Sequence, residues 1–246
     1  MKIGFVSMPL SGHLNPMTAL ARRLQSRGNE IVFFGVPDVE PFARDAGLDF
    51  VPFCENEYPA GSIAKLYSPV SKLHGLEVAR WSLREVHCDL FSAASKHLPQ
   101  RLAETGVEAL VIDTHTFLEV VPMSLGMPYV QVWNALHLDL SGATPLGVFS
   151  WPHESTPEAF ARNIEGNKAA GELSAPLIPL AVAYAEKVGL KIDWDDPAAT
   201  VSKLVVITQT PKEFDCSGTP WPLSFTTLVH FTTMRVGGQY RFHGTN

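Results

Sequence analysis

The chain has 246 residues and a formal net charge of −6, because 25 Asp and Glu outnumber 19 Lys and Arg. Without a surplus of basic side chains to hold a phosphate backbone, we expect no nucleic-acid partner. The length fits one large domain or two small ones. Charged residues make up 18% of the chain, against roughly 25% in average soluble domains, which predicts a surface that is partly less polar than a free-standing domain requires.

The cysteines Cys54, Cys88 and Cys216 lie far apart and form no CxxC pair. This spacing argues against a disulfide framework or a zinc cage and favours a reducing, cytoplasmic setting. The amino-terminal apolar run is too broken by serine, proline and glycine for a signal peptide. The uncharged stretch 120–138 contains two prolines, which argues against a transmembrane helix there.

A strand, a helix and a second strand follow one another in the first 34 residues. Apolar strands are predicted at 2–7 and 30–34, with a helix at 16–27 between them. Asn15 is a suitable cap for this helix, a proline occupies its first turn, and Gly28 supplies a left-handed stop. The three elements form a βαβ unit, which predicts a right-handed crossover over a parallel sheet.

The same alternation continues along the chain, except that residues 134–172 show no firm period and are predicted as loops with short helices. The remaining predicted elements are helices at 38–46, 76–97, 117–125 and 177–188 and strands at 49–53, 109–112, 127–133 and 203–208, the last strand. Strands that are apolar on both faces and alternate with helices predict an α/β fold with a doubly wound, mainly parallel, Rossmann-like sheet. Such sheets bind ligands beyond the carboxyl ends of their strands, so residues that follow strands are the first site candidates.

The loop after the first strand carries the most informative candidate, His13. This loop lacks the glycine pattern of a dinucleotide site, and the chain has no Walker phosphate loop and no GxSxG nucleophile elbow. The positive end of the following helix would help to keep His13 neutral and able to accept a proton. Asp113 ends a buried strand at the same edge of the sheet, where its carboxylate would orient the imidazole and stabilise its charged form.

Simpler interpretations of these residues stay open at this point. A lone loop histidine is more often a hydrogen-bonding group at a helix start, and an aspartate after a strand is often a helix cap. Asp113 and His115 also have the spacing to bind a metal with His13, although no further carboxylates support such a site. The acidic run at 193–196 follows a helix and is predicted to be a solvated loop.

Three segments together resemble the amino-terminal half of nucleotide-sugar-dependent glycosyltransferases of the GT-B fold. They are the SGHLNP loop after the first strand, the following helix with its terminal RG, and the stretch VIDTHTFLEVVPMSLGMPYV. The resemblance is to the UDP-glycosyltransferase family, and within it to bacterial members that glycosylate macrolides, carotenoids and similar lipophilic acceptors. It extends from Met1 to about Pro222.

The resemblance implies a chemistry and a set of residues. His13 would be the general base that takes the proton from the hydroxyl of a lipophilic small-molecule acceptor, and Asp113 would orient it. The sugar would come from a nucleotide sugar, most simply a UDP-sugar, by an inverting displacement that needs no metal. Ser11 and Gly12 match the loop that carries the base, and Asn134 follows a strand where acceptor contacts are common.

The resemblance also implies that a part of the machinery is missing. Members of the family carry the nucleotide-sugar signature in a carboxyl-terminal domain, and nothing in this sequence matches that signature. We therefore expect residues 1–222 to be an acceptor-binding domain and residues 223–246 a divergent tail, with transfer dependent on a complementing donor domain. The alternative is a non-catalytic binding or regulatory module that pairs with a partner chain or forms a homo-oligomer. A small hydrolase using His13 and Asp113 would lack a nucleophile motif.

Overall fold

The computed structural model of the chain describes residues 1–135, 141–196 and 198–209, and the backbone of two strands at 228–236 and 239–244. The strands are β1 (Lys2–Val6), β2 (Glu30–Gly35), β3 (Asp49–Pro52), β4 (Ala109–Asp113), β5 (Tyr129–Trp133), β6 (Val206–Thr208), β7 (Leu228–Val236) and β8 (Gln239–Gly244). The α-helices are α1 (Ser11–Gln25), α2 (Glu40–Asp45), α3 (Ser62–Leu66), α4 (Leu76–Trp81), α5 (Cys88–Thr105), α6 (Val120–Ser124), α7 (Pro157–Ser174) and α8 (Ile178–Lys187).

One sheet holds these strands in the order β3-β2-β1-β4-β5-β6-β7-β8. The first seven pair in parallel, and β8 runs antiparallel beside β7. This is the doubly wound, mainly parallel α/β sheet that the sequence predicted. The strand order reverses between β1 and β4, which is where sheets of this kind bind their ligands.

Large apolar side chains fix the central strands against one another. Phe5 in β1 and Phe33 in β2 are in register and fully buried, with ring centroids 6.0 Å apart. Gly4 is required beside them, because a Cβ at this position would lie 2.7 Å from the side chain of Leu110 and 3.0 Å from that of Phe34. The burial of these side chains is a major source of stability, and it holds the ends of β1 and β4 in place.

Helix α1 begins at Ser11 rather than at residue 16 and therefore takes His13 into its first turn. Its N-cap is Leu10, whose carbonyl oxygen accepts hydrogen bonds from the N–H groups of His13 at 2.9 Å and Leu14 at 2.8 Å. His13 therefore belongs to a helix and not to the loop in which it was predicted.

The predicted capping residues of α1 are partly wrong. Asn15 lies inside the helix and does not cap it. Pro16 is also internal. It lacks the N–H group that would donate to the carbonyl oxygen of Gly12, but Gly12 is exposed, so water can replace this donor. Gly28 is confirmed as the left-handed stop, since its φ is +87° and its N–H donates to the carbonyl oxygen of Gln25 at 2.9 Å.

Helix α7 lies in the region that was predicted as loops with short helices, so that prediction is wrong. The helix has a clear start, because the Thr156 hydroxyl accepts the N–H of Ala159 at 3.1 Å and a proline occupies the first turn. Its fully buried positions are Ala159, Asn163 and Gly166. Since none of these is a large apolar residue, the helix leaves no hydrophobic period in the sequence.

The helix predicted at 76–97 is longer and has an irregular turn. Helix α4 passes into a π-helical turn at Ser82–His87, and α5 continues to Thr105, where Gly106 ends it with a φ of +65°. A π turn widens the helix locally and shifts the side chains that follow, and a regular helical period does not reveal it.

The other differences are smaller. The helix predicted at 117–125 is the shorter α6, and a 3₁₀ turn at Thr114–Thr116 precedes it. Strands β7 and β8 extend the sheet beyond the strand that was predicted to be its last. Among the residues that the structure describes, no helix is both long enough and apolar enough to cross a membrane. The predicted domain boundary at residue 222 and Cys216 lie outside the described residues.

Candidate active site

The candidate site lies where β1 and β4 end side by side. The two strands are in register up to Val6 opposite Ile112. Ser7 and Asp113, which come next in the two segments, therefore emerge at the same edge of the sheet. The first turn of α1 brings His13 back over this edge.

His13 and Asp113 are in direct contact, in agreement with the contact that the sequence analysis expected. The Nδ1 atom of His13 lies 2.7 Å from Oδ2 of Asp113, although the two residues are 100 positions apart. Asp113 is fully buried, whereas 18% of the His13 side chain is exposed. The imidazole thus connects a buried carboxylate to the surface.

Hydrogen-bond donors hold both oxygens of the Asp113 carboxylate. Besides the contact with His13, Oδ2 accepts hydrogen bonds from the Ser7 hydroxyl and the Met8 N–H, both at 3.2 Å. Oδ1 accepts the N–H of His115 at 3.1 Å. Burial acts to raise the pKa of Asp113, but the hydrogen bonds from His115 and His13 outweigh it and hold the pKa well below its usual range. The carboxylate is therefore ionised and only accepts hydrogen bonds.

The ionised carboxylate determines the tautomer of His13. Since Asp113 has no proton to donate, the Nδ1 atom that faces it carries the hydrogen. The Nε2 atom of the neutral imidazole then has a free lone pair directed away from the carboxylate. A carboxylate in this position orients a histidine base and stabilises the imidazolium that forms when the base takes a proton.

His115 is a second imidazole in the site, and its spacing from Asp113 suggested only a metal ligand. Its Nδ1 lies 3.3 Å from Oδ1 of Asp113, and its ring meets that of His13 edge to face with centroids 4.9 Å apart. On its other side, Trp133 packs edge to face at 5.9 Å. The D-x-H spacing is the sequence signal for this contact, because a 3₁₀ turn returns the second residue to the carboxylate.

His87, from the π turn, anchors the segment that carries His115. Its Nδ1 donates to the carbonyl oxygen of His115 at 2.9 Å, and its Nε2 accepts from the Ser82 hydroxyl at 3.1 Å. Burial lowers the pKa of His87 to about 4, so the ring is neutral near pH 7 and can hold both hydrogen bonds. Sequence reasoning missed this residue because only the π turn directs it to the site.

Ser11, Gly12 and Asn134 are the other site residues predicted from the sequence. Ser11 and Gly12 are exposed at the start of α1, and among the hydrogen bonds of the described residues none joins them to His13 or Asp113. Asn134 follows β5 and is only 6% exposed, yet neither polar atom of its side chain has a hydrogen-bond partner in the described part of the chain. A buried amide is costly to leave without a hydrogen-bond partner.

A buried acidic residue near the site, Glu119, was not predicted. Its Oε1 accepts a hydrogen bond from the Gln131 side chain at 3.0 Å, and the oxygen of Gln131 accepts the N–H of Ser202 at 2.8 Å. Burial raises the pKa of Glu119 to about 7, and the charge of Asp113 adds to the shift. This network ties β5 to the segment that precedes β6.

Two cavities lie near the carboxyl edge of the sheet or against α1, and neither is lined by His13 or Asp113. One of about 30 Å³ adjoins the site through Ser7 and Met8 but has room for little more than a water molecule. The other, of about 270 Å³, lies between α1 and α2, and its lining includes neither His13 nor Asp113.

His13, Asp113 and His115 have ligand atoms within 4.8 Å of one another, so they have the composition of a metal site. The Asp113 carboxylate, however, already makes five polar contacts. Three are with Ser7, Met8 and His13, and two are with the backbone N–H and the Nδ1 atom of His115. An ionised carboxylate offers about four lone-pair directions. Hydrogen-bond donors therefore already surround the lone pairs of this carboxylate.

Known proteins share the sequence pattern and the fold. The chain is 27% identical over 184 residues to UDP-glycosyltransferase 2 of Phaeomoniella chlamydospora, a match that covers 68% of this chain and 40% of that protein. It is 32% identical over 137 residues to UDP-glucosyltransferase B1 of Starmerella bombicola, covering 53% and 31%. Its fold matches that of spinosyn forosaminyltransferase SpnP with a TM-score of 0.55 and 19% identity, over 94% of this chain and 50% of that one. No protein-family model matches the chain.

The chain resembles the amino-terminal GT-B domain of the UDP-glycosyltransferase family. The resemblance inferred from the three sequence segments is thereby confirmed. The match to SpnP shows the GT-B fold, and the sequence relatives are UDP-glycosyltransferases that use nucleotide sugars. The chain spans about half the length of these proteins or less.

Proposed function

We propose that this chain is the acceptor-binding part of a nucleotide-sugar-dependent glycosyltransferase, with His13 as general base and Asp113 as its orienting partner. The supporting observation is the 2.7 Å contact between the His13 imidazole and the buried Asp113 carboxylate, at the carboxyl edge of a GT-B sheet. The donated Nδ1 hydrogen leaves Nε2 free to take a proton.

In the proposed reaction, the hydroxyl of a lipophilic acceptor donates its proton to Nε2 of His13 while its oxygen attacks the anomeric carbon of the sugar. The bond from that carbon to the nucleoside diphosphate breaks, and the configuration at the carbon inverts. Asp113 stabilises the imidazolium that forms. General-base assistance of this kind is typically worth about 10²- to 10⁴-fold in rate.

The leaving diphosphate needs electrostatic support of its own. We assign this support to a donor domain, because the relatives are longer than the part that this chain matches. We expect no metal in the reaction. We further expect a UDP-sugar as co-substrate. Asn134, whose buried amide has no partner among the described residues, is the residue that we expect to hydrogen-bond the bound acceptor or sugar. Ser11 and Gly12 come just before the base, where an acceptor would enter.

The test measures sugar transfer from a panel of UDP-sugars to lipophilic alcohols, by the chain alone and with a separately supplied donor domain. We expect little turnover by the chain alone and clear turnover in the complemented mixture. His13→Ala should lower complemented turnover by about 10²- to 10⁴-fold. The matched control, His74→Ala, replaces an exposed histidine just before α4 and should leave turnover unchanged.

Two outcomes would contradict the proposal. Unchanged turnover in His13→Ala would exclude this residue as the base. Robust turnover by the chain alone would exclude its dependence on a donor domain. Acceptor binding by the isolated chain, followed by tryptophan fluorescence, tests the binding role separately from transfer.

A further inference from the structure

A second cluster of possible metal ligands lies between the segment after β3 and helix α5. Cys54 and Glu57 belong to the segment, and His97 belongs to α5. A sulfur, a carboxylate oxygen and an imidazole nitrogen from these side chains lie within 4.8 Å of one another. The proposed transfer reaction uses none of the three.

The backbone brings Cys54 and Glu57 to the same side of the segment. The N–H of Tyr58 donates to the carbonyl oxygen of Cys54 at 2.8 Å, which closes a single turn of helical type. Residues three apart in such a turn face the same way. Cys54 has a φ of +57°, a left-handed conformation that is uncommon for a residue other than glycine.

Helix α5 supplies the third side chain. The Nε2 atom of His97 lies 2.9 Å from Oε1 of Glu57, and the two side chains are 42% and 39% exposed. Cys54 is 1% exposed and lies on the protein side of the cluster. A metal ion between these groups would have protein on one side and water on the other. The nearby Arg101 is paired with Glu55 at 3.2 Å.

The charges around the cluster favour a cation. The carboxylates of Glu57 and Glu55 place negative charge beside Cys54, while the positive charge of Lys96 opposes them. A divalent metal ion is the partner that both carboxylate and thiolate would stabilise, and its binding would release the thiol proton to solvent.

We propose that Cys54, Glu57 and His97 form a site for a divalent transition-metal ion, most suitably Zn²⁺, with water as the fourth ligand. Zn²⁺ binds sulfur, nitrogen and oxygen ligands tetrahedrally at about 2.0–2.3 Å. Adjacent ligands in such a shell are about 3.3–3.8 Å apart, so side-chain rotations bring the three groups onto the ion. The hydrogen bond between His97 and Glu57 is then replaced by two bonds to the metal, and the ion ties the segment after β3 to α5.

The test uses Co²⁺, which occupies tetrahedral zinc sites and shows thiolate-to-metal charge-transfer absorption only when it binds sulfur. The full chain, kept reduced with a reductant that contains no thiol, is titrated with Co²⁺ and then with Zn²⁺. We expect a charge-transfer band that saturates at one equivalent and is lost when Zn²⁺ displaces Co²⁺. Cys54→Ser should abolish the band. His97→Ala and Glu57→Gln should weaken Zn²⁺ binding by at least about tenfold, since even outer-shell partners of metal sites are worth that much.

Matched variants separate this site from other thiols and histidines. Cys88→Ser and Cys216→Ser should leave the band unchanged, and so should His13→Ala, because the cluster around Asp113 contains no cysteine. His97 and Glu57 are partly exposed, so their variants test the site without disturbing the core. No band at one equivalent, a band that persists in Cys54→Ser, or unchanged Zn²⁺ affinity in His97→Ala would overturn the proposal.

Discussion

Single residues determine the chemistry of the candidate active site through one buried carboxylate that serves two imidazoles. His13 faces Oδ2 of Asp113 and His115 faces Oδ1. The Ser7 hydroxyl and the Met8 N–H supply further donors to Oδ2. Since every neighbour donates, the site requires a group that accepts on both oxygens, and an aspartate that stays ionised meets this requirement.

Asp113→Asn should lower the free energy of unfolding by about 1–3 kcal/mol at pH 7, because the amide places a donor among donors. The pKa of Asp113 in the folded protein lies below its ordinary value of 3.8. Its stabilising contribution is therefore present above pH 3.8 and is lost as the pH falls toward the pKa of Asp113 in the folded protein. Urea unfolding of both proteins at pH 7 and in strong acid measures the effect. An equal difference at both pH values would contradict it.

Glu119 has the opposite linkage. Its pKa is raised from 4.5 to about 7, so the folded state holds the proton more tightly and loses stability as the pH rises between these values. Glu119→Gln stays neutral and keeps an oxygen for Gln131. This substitution should leave the free energy of unfolding nearly unchanged near pH 5 and raise it by up to about a few kcal/mol at pH 8. Thermal unfolding at both pH values tests this against the exposed control Glu186→Gln, and a lack of any gain at pH 8 would exclude the raised pKa.

Among the elements, α7 shows that a helix can be held by close fit rather than by an apolar stripe. Phe149 and Trp151, in the segment before the helix, stack with centroids 4.1 Å apart, and Arg162 lies over the Trp151 ring at 5.3 Å. Asn163 donates to the carbonyl oxygen of Gly142 at 3.0 Å. The absence of a side chain at Gly166 makes room for the stacked rings.

Two glycines of α7 should respond to alanine in opposite directions. A Cβ at Gly166 would lie 2.6 Å from Trp151 and 2.9 Å from Phe149, so Gly166→Ala should cost about 1–3 kcal/mol of unfolding free energy. At Gly171 a Cβ meets open space, so Gly171→Ala should stabilise the helix by about 0.5–1 kcal/mol. Denaturant unfolding of the two variants gives the comparison, and a gain in both would show that the rings do not pack on the helix.

For the whole molecule, stability is concentrated where β1 and β2 pack against their covering helices. Phe33 is fully buried there, whereas Phe160 on α7 is 50% exposed. Strands of a parallel sheet are covered on both faces, which places most of the large apolar side chains in the interior. The same packing holds the strand ends, and hence the site, at fixed separations.

Phe33→Ala should therefore lower the free energy of unfolding by about 3–5 kcal/mol, through lost burial and the cavity left behind. Phe160→Ala makes the same chemical change on the surface and should alter it by less than about 0.5 kcal/mol. Equilibrium unfolding in urea measures both. Similar losses in the two variants would mean that the core is not where the fold places it.

The part of the site that could be predicted from the sequence consists of residues that end a strand or follow one closely. His13 follows the first strand, and Asp113 ends the fourth, so the parallel sheet brings them to one edge. His87 was not predictable, because a π turn directs it. The ligands Cys54 and His97 were not predictable either, because they come from separate elements and leave no motif spacing in the chain.

The sequence by itself determined the doubly wound sheet, since apolar runs and helical periods are local patterns that any chain with this fold must carry. It also determined that an imidazole and a carboxylate belong at the same edge. Only the tertiary structure decided that α1 starts early enough to hold His13, that His87 anchors the segment carrying His115, and that α7 exists. These features depend on contacts between residues far apart in the chain, whose energies outweigh local preference and leave no local signal.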